Sequence, residues 1–391
     1  MSKIMLVCGS LEPGKDGVGD YSRLLSAELI QLGHDLRIIA TNDKAATEII
    51  REEQWQENTA VPVLRIPYGV TNRTRIAILQ EEIDNFLPEW VSLQYVPYSF
   101  NRYGVPVDFA LALRRIRFTG EWHIMFHELW IDQRGIWTPK DTTISYLQRL
   151  AVVLLQWVLG PSVKHTHLPA YQTKMLPLGV TTLALPLFAN IRPVKTSVTS
   201  PPSKVFRLGF FSQMNLKPEI IRFIKELANW LQGTENQELE ILLLGGGADK
   251  VNLMKKGLLS SIPMATIKPL GFLPSEELSQ HISTLNLGIT PVRHHAIGKS
   301  GTVAAFLSHG VPVAAPWLTQ SCPSFFDETL SEAVITNFTP KGLKAAMEAA
   351  QTLDTTVISP RGIAQRMLGD LSLSVAASTA TSKRVDQPAS H

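Results

Sequence analysis

Residues 289–316 read ITPVRHHAIGKSGTVAAFLSHGVPVAAP, in which a short apolar run, a polar loop, a helical pattern and a second apolar run follow one another. The helix is predicted over Val303–His309 and the strand after it over Val311–Ala315. Ser300 or Thr302 can cap that helix. A strand, a loop, a helix and another strand in this order are typical of a parallel sheet covered by helices.

The same alternation extends through both halves of the chain. In the first half the predicted strands are Ile4–Cys8, Leu36–Ala40, Pro62–Ile66, Trp90–Tyr95 and Trp122–Phe126. In the second half they are Val205–Phe211, Leu239–Gly245, Ala265–Leu270, Leu285–Thr290, Val311–Ala315 and Ala333–Asn337. Continuous apolar runs suit strands that are covered on both faces. We therefore expect an α/β protein with two Rossmann-like, doubly wound parallel-sheet domains facing a cleft, and ligands beyond the carboxyl ends of the strands.

Composition places the domain boundaries. The stretch 190–204, NIRPVKTSVTSPPSK, is rich in Pro, Ser and Thr and lacks apolar periodicity, as expected of a linker. It separates an N-terminal domain at 1–189 from a C-terminal domain at 205–373. The remaining 374–391 offers little to pack and is predicted to be a disordered tail.

The overall charge and the cysteines exclude several classes of protein. The 391 residues carry 37 Lys and Arg against 34 Asp and Glu, a net charge of +3, which is too small for a nucleic-acid-binding protein. Two distant cysteines, Cys8 and Cys322, indicate a reducing compartment, so a cytoplasmic location is expected. The apolar run Leu150–Leu155 is too short to span a bilayer and predicts a buried helix, with a surface that rests on a membrane as the alternative.

Two loops in the first half are candidate binding sites. Gly17 and Gly19 precede the first helix, where backbone amides can approach an anion, although a plain strand-to-helix turn explains the same pattern. His127 and Glu128 follow the strand Trp122–Phe126. A histidine there can orient a substrate hydroxyl or transfer a proton, and a structural histidine is the alternative.

The second half holds the candidate phosphate ligands. Ser212 and Lys217 lie between a strand and a helix, where a lysine can pair with a phosphate. In the loop 298–302, the amides of the following helix together with Lys299 and Arg293 can face a diphosphate. The loop does not have the spacing of a Walker A motif, and the sequence contains no DxD motif, so no metal site is expected.

Taken together and in this order, these segments resemble the GT-B glycosyltransferases, particularly the retaining enzymes of the family-4 type. The resemblance covers most of residues 1–350. It is carried by GVGDYSRLL (17–25), FHELW (126–130), LPLGVTT (176–182), PLGFLPSEELSQHISTLNLGITPV (269–292) and SHGVPVAAP (308–316).

The resemblance implies transfer of a sugar from a nucleotide-diphosphate sugar with retention of configuration. The nucleotide sugar is a co-substrate, and no separate cofactor is implied. The implied catalytic residues are His127, against the transferred sugar, and Lys217, on phosphate. The implied donor-binding residues are Gly17, Gly19, Ser212, Gly271, Phe272, Leu273, Arg293, Lys299, Ser300, Gly301 and Thr302.

The acceptor side would be the first domain, with Tyr95, Glu128 and Trp130 as candidate contacts. Aromatic side chains can stack on sugars or apolar acceptors, and they are as often simple loop packing. The acceptor class stays open between a small molecule, a glycan and a lipid-linked molecule. A lipid-linked acceptor would fit a peripheral membrane contact through the basic region 114–118.

The sequence departs from the family pattern at two acidic positions. The family's two glutamates, which are separated by seven intervening residues, fall here on Ile297 and Ala305. Because these acids usually contact the sugar and the ribose, their loss leaves two alternatives to a retaining transferase. One is a GT-B scaffold without catalytic activity, and the other is a sugar-nucleotide epimerase or inverting transferase of the same fold.

Overall fold

The computed structural model describes residues 1–131, 138–194, 204–292, 294–317 and 324–385. The chain divides into two compact units. The first comprises Met1–His167, Tyr171–Leu185 and the segment that begins at Pro360. The second comprises Leu168–Ala170 and Pro186–Ser359.

The first unit is built on a largely parallel sheet. Its strands are β1 (Lys3–Cys8), β2 (Asp35–Asp43), β3 (Ile50–Gln56), β4 (Thr59–Pro67), β5 (Trp90–Tyr95), β6 (Glu121–Phe126), β7 (Val163–Thr166) and β8 (Leu183–Ala184). The strand order is β3-β4-β2-β1-β5-β6-β7-β8. The pair β3 and β4 is antiparallel, whereas the other neighbouring strands are parallel.

Helices cover this sheet: α1 (Gly17–Gln31), α2 (Asn72–Phe86), α3 (Pro97–Phe100), α4 (Val107–Ala112), α5 (Pro139–Leu159) and α6 (Pro169–Met175). Helix α1 begins where the Asp16 carboxylate accepts hydrogen bonds from the amides of Val18 and Gly19, at 3.0 and 2.7 Å. These bonds satisfy two amides of the first turn, which have no partner within the helix.

The second unit has a parallel sheet with strands β9 (Val205–Phe211), β10 (Glu238–Leu244), β11 (Thr266–Gly271), β12 (Leu287–Ile289), β13 (Val313–Ala314) and β14 (Val334–Ile335). The order is β11-β10-β9-β12-β13-β14. Its helices are α7 (Pro218–Trp230), α8 (Ala248–Ser261), α9 (Ser275–Ser283), α10 (Gly301–Ser308), α11 (Glu328–Glu332) and α12 (Pro340–Thr352). This is the doubly wound order of a Rossmann-like sheet.

The strand order reverses once in each sheet, between β1 and β5 in the first and between β9 and β12 in the second. At such a point the loops on the two sides diverge and leave a crevice beyond the carboxyl ends of the strands. The predicted α/β class with two Rossmann-like parallel sheets is confirmed.

The C-terminal helix differs from the prediction. Helix α13 (Pro360–Val385) belongs to the first unit, although its sequence follows the second, and it is helical to Val385 where a tail was expected from 374. The stripe Ile363, Ala364, Met367 and Leu371 is fully buried, which explains why the helix packs.

Candidate functional site

The second unit has a cavity of about 500 Å³ beyond the ends of β9 and β12, at the point where the strand order reverses. Its described lining is Asn190, Ile191, Phe211, Ser212, Gln213, Val292, Ala296, Lys299, Ser300, Gly301 and Thr302. The cavity therefore brings together five predicted donor-binding residues: Ser212, Lys299, Ser300, Gly301 and Thr302. Among the described lining residues the charged side chain is Lys299, so the cavity favours an anion.

A tight turn after β9 forms one wall of this cavity. The amide of Ser212 donates to the carbonyl of Leu244 at 2.7 Å, and the amide of Gln213 donates to the carbonyl of Phe211 at 2.6 Å. Ser212 has a φ of 61°, which is uncommon for a residue other than glycine. Backbone strain of this kind is found preferentially at binding sites.

The N-terminus of α10 forms the opposite wall. Ser300 is the N-cap, and its Oγ lies 2.9 Å from Oγ1 of Thr302, without a side-chain hydrogen bond to the first-turn amides. The amides and the positive end of the helix dipole suit a phosphate group. Gly301 faces Asn190, whose Nδ2 lies 3.8 Å from the position of a Cβ built on the glycine. Asn190 was not predicted, because its position at the start of the linker gives no signal in the sequence.

The two positions of the missing family glutamates are inside the core. Ile297 and Ala305 are 1% and 0% exposed and pack in one apolar cluster with Val303 and Phe306. An acid at either position would need a different backbone course to reach a ligand.

Four other predicted positions of the second unit are not among the described lining residues of this cavity: Lys217, Gly271, Phe272 and Leu273. Lys217 is the N-cap of α7, and its Nζ lies 5.1 Å from the ring centroid of Trp317. Gly271, with a φ of 66°, ends β11 and accepts a bond from the amide of Gly245, while Phe272 after it is exposed. Arg293 lies outside the described residues.

The first unit has its own cavity, of about 440 Å³, beyond the ends of β1, β2 and β5. Its lining is Gly9, Ser10, Glu12, Lys15, Asp16, Asn42, Lys44, Ala45, Val96, Tyr98 and Ser99. Neither Gly17 nor Gly19 lines it. A Cβ on Gly19 would lie 2.4 Å from the carbonyl oxygen of Ser10, whereas one on Gly17 would meet no atom within 4 Å. Gly19 is therefore required for the close approach of α1 to the loop after β1.

The predicted acceptor contacts differ in accessibility. Tyr95 is 0% exposed, and its ring packs edge-on against Phe126. This corrects the expectation of an acceptor contact, because a ring in the core cannot meet a ligand. Glu128 is exposed, and Trp130 is half-buried with the guanidinium of Arg149 5.1 Å from its ring centroid.

His127 is buried at the end of β6, and both of its ring nitrogens bond within the first unit. Nε2 lies 2.9 Å from Oε1 of Gln94, and Nδ1 lies 2.9 Å from Nε2 of His167. The ring of Tyr21 packs edge-on against both imidazoles. His167 in turn places Nδ1 2.9 Å from the carbonyl oxygen of Leu185. His167 was not predicted, since a lone histidine outside any motif gives no signal.

The hydrogen bonds continue from Gln94 away from His127. Nε2 of Gln94 donates to Oγ of Ser92 at 2.6 Å, and that oxygen lies 2.7 Å from Nδ1 of His123. Nε2 of His123 lies 2.9 Å from Nδ1 of His165, whose Nε2 lies 3.0 Å from the Asp370 carboxylate on α13. Burial and the neighbouring His165 hold the pKa of His123 well below its usual range.

One outer surface of the first unit is apolar and basic. Helix α5 exposes Tyr146, Val153 and Trp157, and the guanidinium of Arg114 lies 4.8 Å from the Trp157 ring centroid. We call this face, together with exposed Leu111, Arg115, Arg117 and Arg149, the α5 surface. Among the described residues, α5 is one helix that is long and apolar enough to cross a membrane. Core helices of soluble proteins reach the same length and hydropathy, so α5 does not establish a membrane span.

Solved structures of several other proteins have a similar fold. Sucrose-phosphate synthase from Thermosynechococcus elongatus is similar over 97% of this chain and 100% of its own, with a TM-score of 0.58 and 14% identity. HepE of Anabaena, solved with UDP and glucose, is similar over 95% and 100%, with a TM-score of 0.59 and 17% identity. The chain has the GT-B fold.

The same fold also includes epimerases. UDP-GlcNAc 2-epimerase from Methanocaldococcus jannaschii is similar over 95% of this chain and 100% of its own, with a TM-score of 0.51 and 12% identity. No family model matches the sequence, and no curated protein matches it. At these identities the likeness establishes the GT-B fold, and the activity has to be argued from the site.

Proposed function

We propose that this GT-B protein is a glycosyltransferase that moves a sugar from a nucleotide-diphosphate sugar to an acceptor, with retention of anomeric configuration. The observation that carries the proposal is the cavity of the second unit. It combines a helix N-terminus, three hydroxyl side chains and Lys299 at the reversal point of a Rossmann-like sheet. These groups match the charge and size of a diphosphate.

Catalysis in this proposal rests on stabilising the departing diphosphate. Negative charge develops on the leaving oxygen as the glycosidic bond breaks, and amides and ammonium groups fixed around it lower the barrier. The first-turn amides of α10 and Lys299 supply these groups, and Lys217 supplies a second cation. This arrangement makes transfer independent of a metal ion.

We propose that the donor is a UDP-sugar, because HepE, which has a similar fold, was solved with UDP and with UDP-glucose. Ile297 and Ala305 leave no carboxylate for the ribose or sugar hydroxyls. The amides of Asn190 and Gln213 line the cavity and can bond to those hydroxyls in place of the acids.

A sugar-nucleotide epimerase is the second candidate, since one such enzyme shares the fold. Epimerisation at a carbon needs a base that removes its proton. The described lining of the second unit's cavity has neither a carboxylate nor an imidazole, which favours transfer. A non-catalytic scaffold is the third reading and predicts that nucleotides do not bind.

On the acceptor side we propose the cavity of the first unit, with Glu128 and Trp130 near the end of β6. The α5 surface suits a peripheral contact with an anionic membrane, where a lipid-linked acceptor would lie. Arginines and a tryptophan on one face supply the charge and the amphipathic ring that such a contact uses. We propose a cytoplasmic protein that reaches the membrane from its surface.

Thermal unfolding with UDP, ADP, GDP and UDP-glucose tests the donor proposal, because a ligand that binds the folded state raises its stability. We expect a selective rise in Tm with the uridine nucleotides. Lys299→Gln should reduce that rise, and Lys256→Gln, an exposed lysine on α8, should not. If no nucleotide raises Tm, the proposal is contradicted. In a preparation that is active, chromatography of the products distinguishes sugar transfer from epimerisation.

A further inference from the structure

The hydrogen bonds around His127 form one continuous chain through the first unit. Its two ends are acceptors, the carbonyl oxygen of Leu185 and the carboxylate of Asp370. Between them, in order, lie His167, His127, Gln94, Ser92, His123 and His165. We call these eight groups the histidine chain.

The histidine chain has one link more than its neutral groups have protons. Each link needs one hydrogen, and six groups between two acceptors make seven links. A neutral imidazole, a hydroxyl or an amide placed between two neighbours donates to one of them and accepts from the other. The six neutral groups therefore supply six hydrogens. All seven links measure 2.6–3.0 Å, distances at which two facing acceptors without a hydrogen would repel each other.

The orientation of Gln94 fixes where the missing hydrogen belongs. Its amide donates to Ser92, so every group on that side donates onward, and His165 donates to the side-chain oxygen of Asp370. Its carbonyl accepts from Nε2 of His127, while Nδ1 of His167 donates to the carbonyl of Leu185. The two remaining nitrogens, Nδ1 of His127 and Nε2 of His167, face each other with no hydrogen left from the neutral rings.

We propose that the histidine chain binds one additional proton, which His127 and His167 share as an imidazole–imidazolium pair. The proton comes from solvent and gives the pair a charge of +1. Asp370, 24% exposed, is the end of the chain that solvent reaches. His167, His165 and Asp370 are then positioning residues that set the protonation of His127.

Among the residues that the structure describes, ionisable side chains lie near both ends of the histidine chain. Near the inner pair are Tyr21 of α1, whose pKa is raised by burial so that it stays neutral, and Glu128, the exposed residue that follows His127 in the sequence. At the outer end Arg366 of α13 opposes protonation of His165, whose pKa burial lowers although Asp370 acts in the other direction. These groups favour the additional proton at the inner pair, away from Arg366.

The test is nuclear magnetic resonance of the full chain with ¹⁵N-labelled histidine, compared between the native protein, His167→Phe and Asp370→Asn. At pH 7 we expect one imidazolium shared by His127 and His167. His167→Phe leaves five groups and five links, so His127 should become neutral. In Asp370→Asn the new amide can donate to His165 and supply the seventh hydrogen, so the imidazolium should also disappear.

His309 of the second unit is the internal control. Its Nδ1 faces the carbonyl of Ala305, and its Nε2 faces the hydroxyl of Ser279, which can donate. His309 should therefore be neutral, with its proton on Nδ1, in all three proteins. Neutral spectra for both His127 and His167 in the native protein would overturn the proposal, as would an imidazolium that persists in Asp370→Asn.

A role for this proton in sugar transfer rests on the proposed function. The NMR test of the bound proton does not depend on that function. If the charge serves catalysis, Asp370→Asn should lower kcat about tenfold without a matching change in KM for the donor. If the NMR spectra are as expected but kcat of Asp370→Asn is unchanged, the chain binds the proton and the proton has no role in catalysis.

Discussion

Nε of Arg65 lies 2.8 Å from Oδ2 of Asp43, and both side chains are buried at the ends of β4 and β2. Oδ2 also accepts a hydrogen bond from the amide of Leu11, and Oδ1 accepts one from the amide of Ala45, each at 2.9 Å. The carboxylate thus ties the loops after β1 and β2 together. These loops form the wall of the first unit's cavity.

We expect Asp43→Asn to destabilise the protein by about 1.5–3 kcal/mol, because the buried hydrogen bonds from Arg65, Leu11 and Ala45 lose their charged acceptor, while Arg65 keeps the more exposed Glu12 and Glu52. Urea unfolding measures the change. Glu52→Gln is the matched control, since Glu52 contacts the same guanidinium at 3.4 Å from a more exposed position, and should cost less than about 1 kcal/mol. Equal effects of the two substitutions would contradict this ranking.

The same pair sets a pH dependence. Burial raises the pKa of Asp43, but the hydrogen bonds from Arg65, Leu11 and Ala45 outweigh it, and the net pKa is lowered. The stabilisation is therefore fully present above the ordinary pKa of about 3.9 and is lost as the pH falls through the lower value of the folded state. The difference in unfolding free energy between the native protein and Asp43→Asn should shrink below about pH 4.

The two glycines at the start of α1 should respond differently to alanine. Gly19→Ala forces a Cβ to 2.4 Å from the Ser10 carbonyl oxygen and should lower Tm, because backbone on both sides has to move. Gly17→Ala has open space and should leave Tm within about a degree. A stable Gly19→Ala would show that the loop after β1 adapts.

The sequence allows the strands of the parallel sheets to be predicted because strands covered on both faces are continuous apolar runs. Strand β7, Val163–Thr166, was missed since two of its three buried positions are the polar residues His165 and Thr166, so the strand is not a continuous apolar run. Strand β3 was missed because it lies at the sheet edge, where Arg51 and Glu52 are exposed.

One part of the second unit's cavity lining could be read from the sequence, because Ser300 to Thr302 are contiguous and open a helix. The histidine chain could not be read in this way. Its members lie on β5, β6, β7 and α13 and on the residues that follow β6, β7 and β8. They are adjacent only through sheet order and through the packing of α13 within the first unit. Asp370 and His165 are 205 positions apart in sequence, so no local pattern links them.

The α5 surface predicts binding to vesicles that contain anionic lipid. Replacing Arg114 and Arg115 with glutamate should reduce sedimentation with such vesicles at least tenfold, and binding of the native protein should weaken with salt. Trp157→Ala should also reduce it, whereas Trp55→Ala, an exposed tryptophan on β3, serves as the matched control. Vesicle binding that is absent at low salt would contradict the membrane contact.

Lys217→Ala should strongly reduce the rate of sugar transfer while the fold persists. The lysine precedes α7 and its ammonium lies over the Trp317 ring, so its removal takes away a cation without opening the core. Removing one group that stabilises developing charge costs about 10²–10³ in kcat. Lys225→Ala, an exposed lysine on the same helix, should keep both turnover and Tm. Unchanged turnover in Lys217→Ala would remove this residue from the mechanism and leave the diphosphate to Lys299 and the amides of α10.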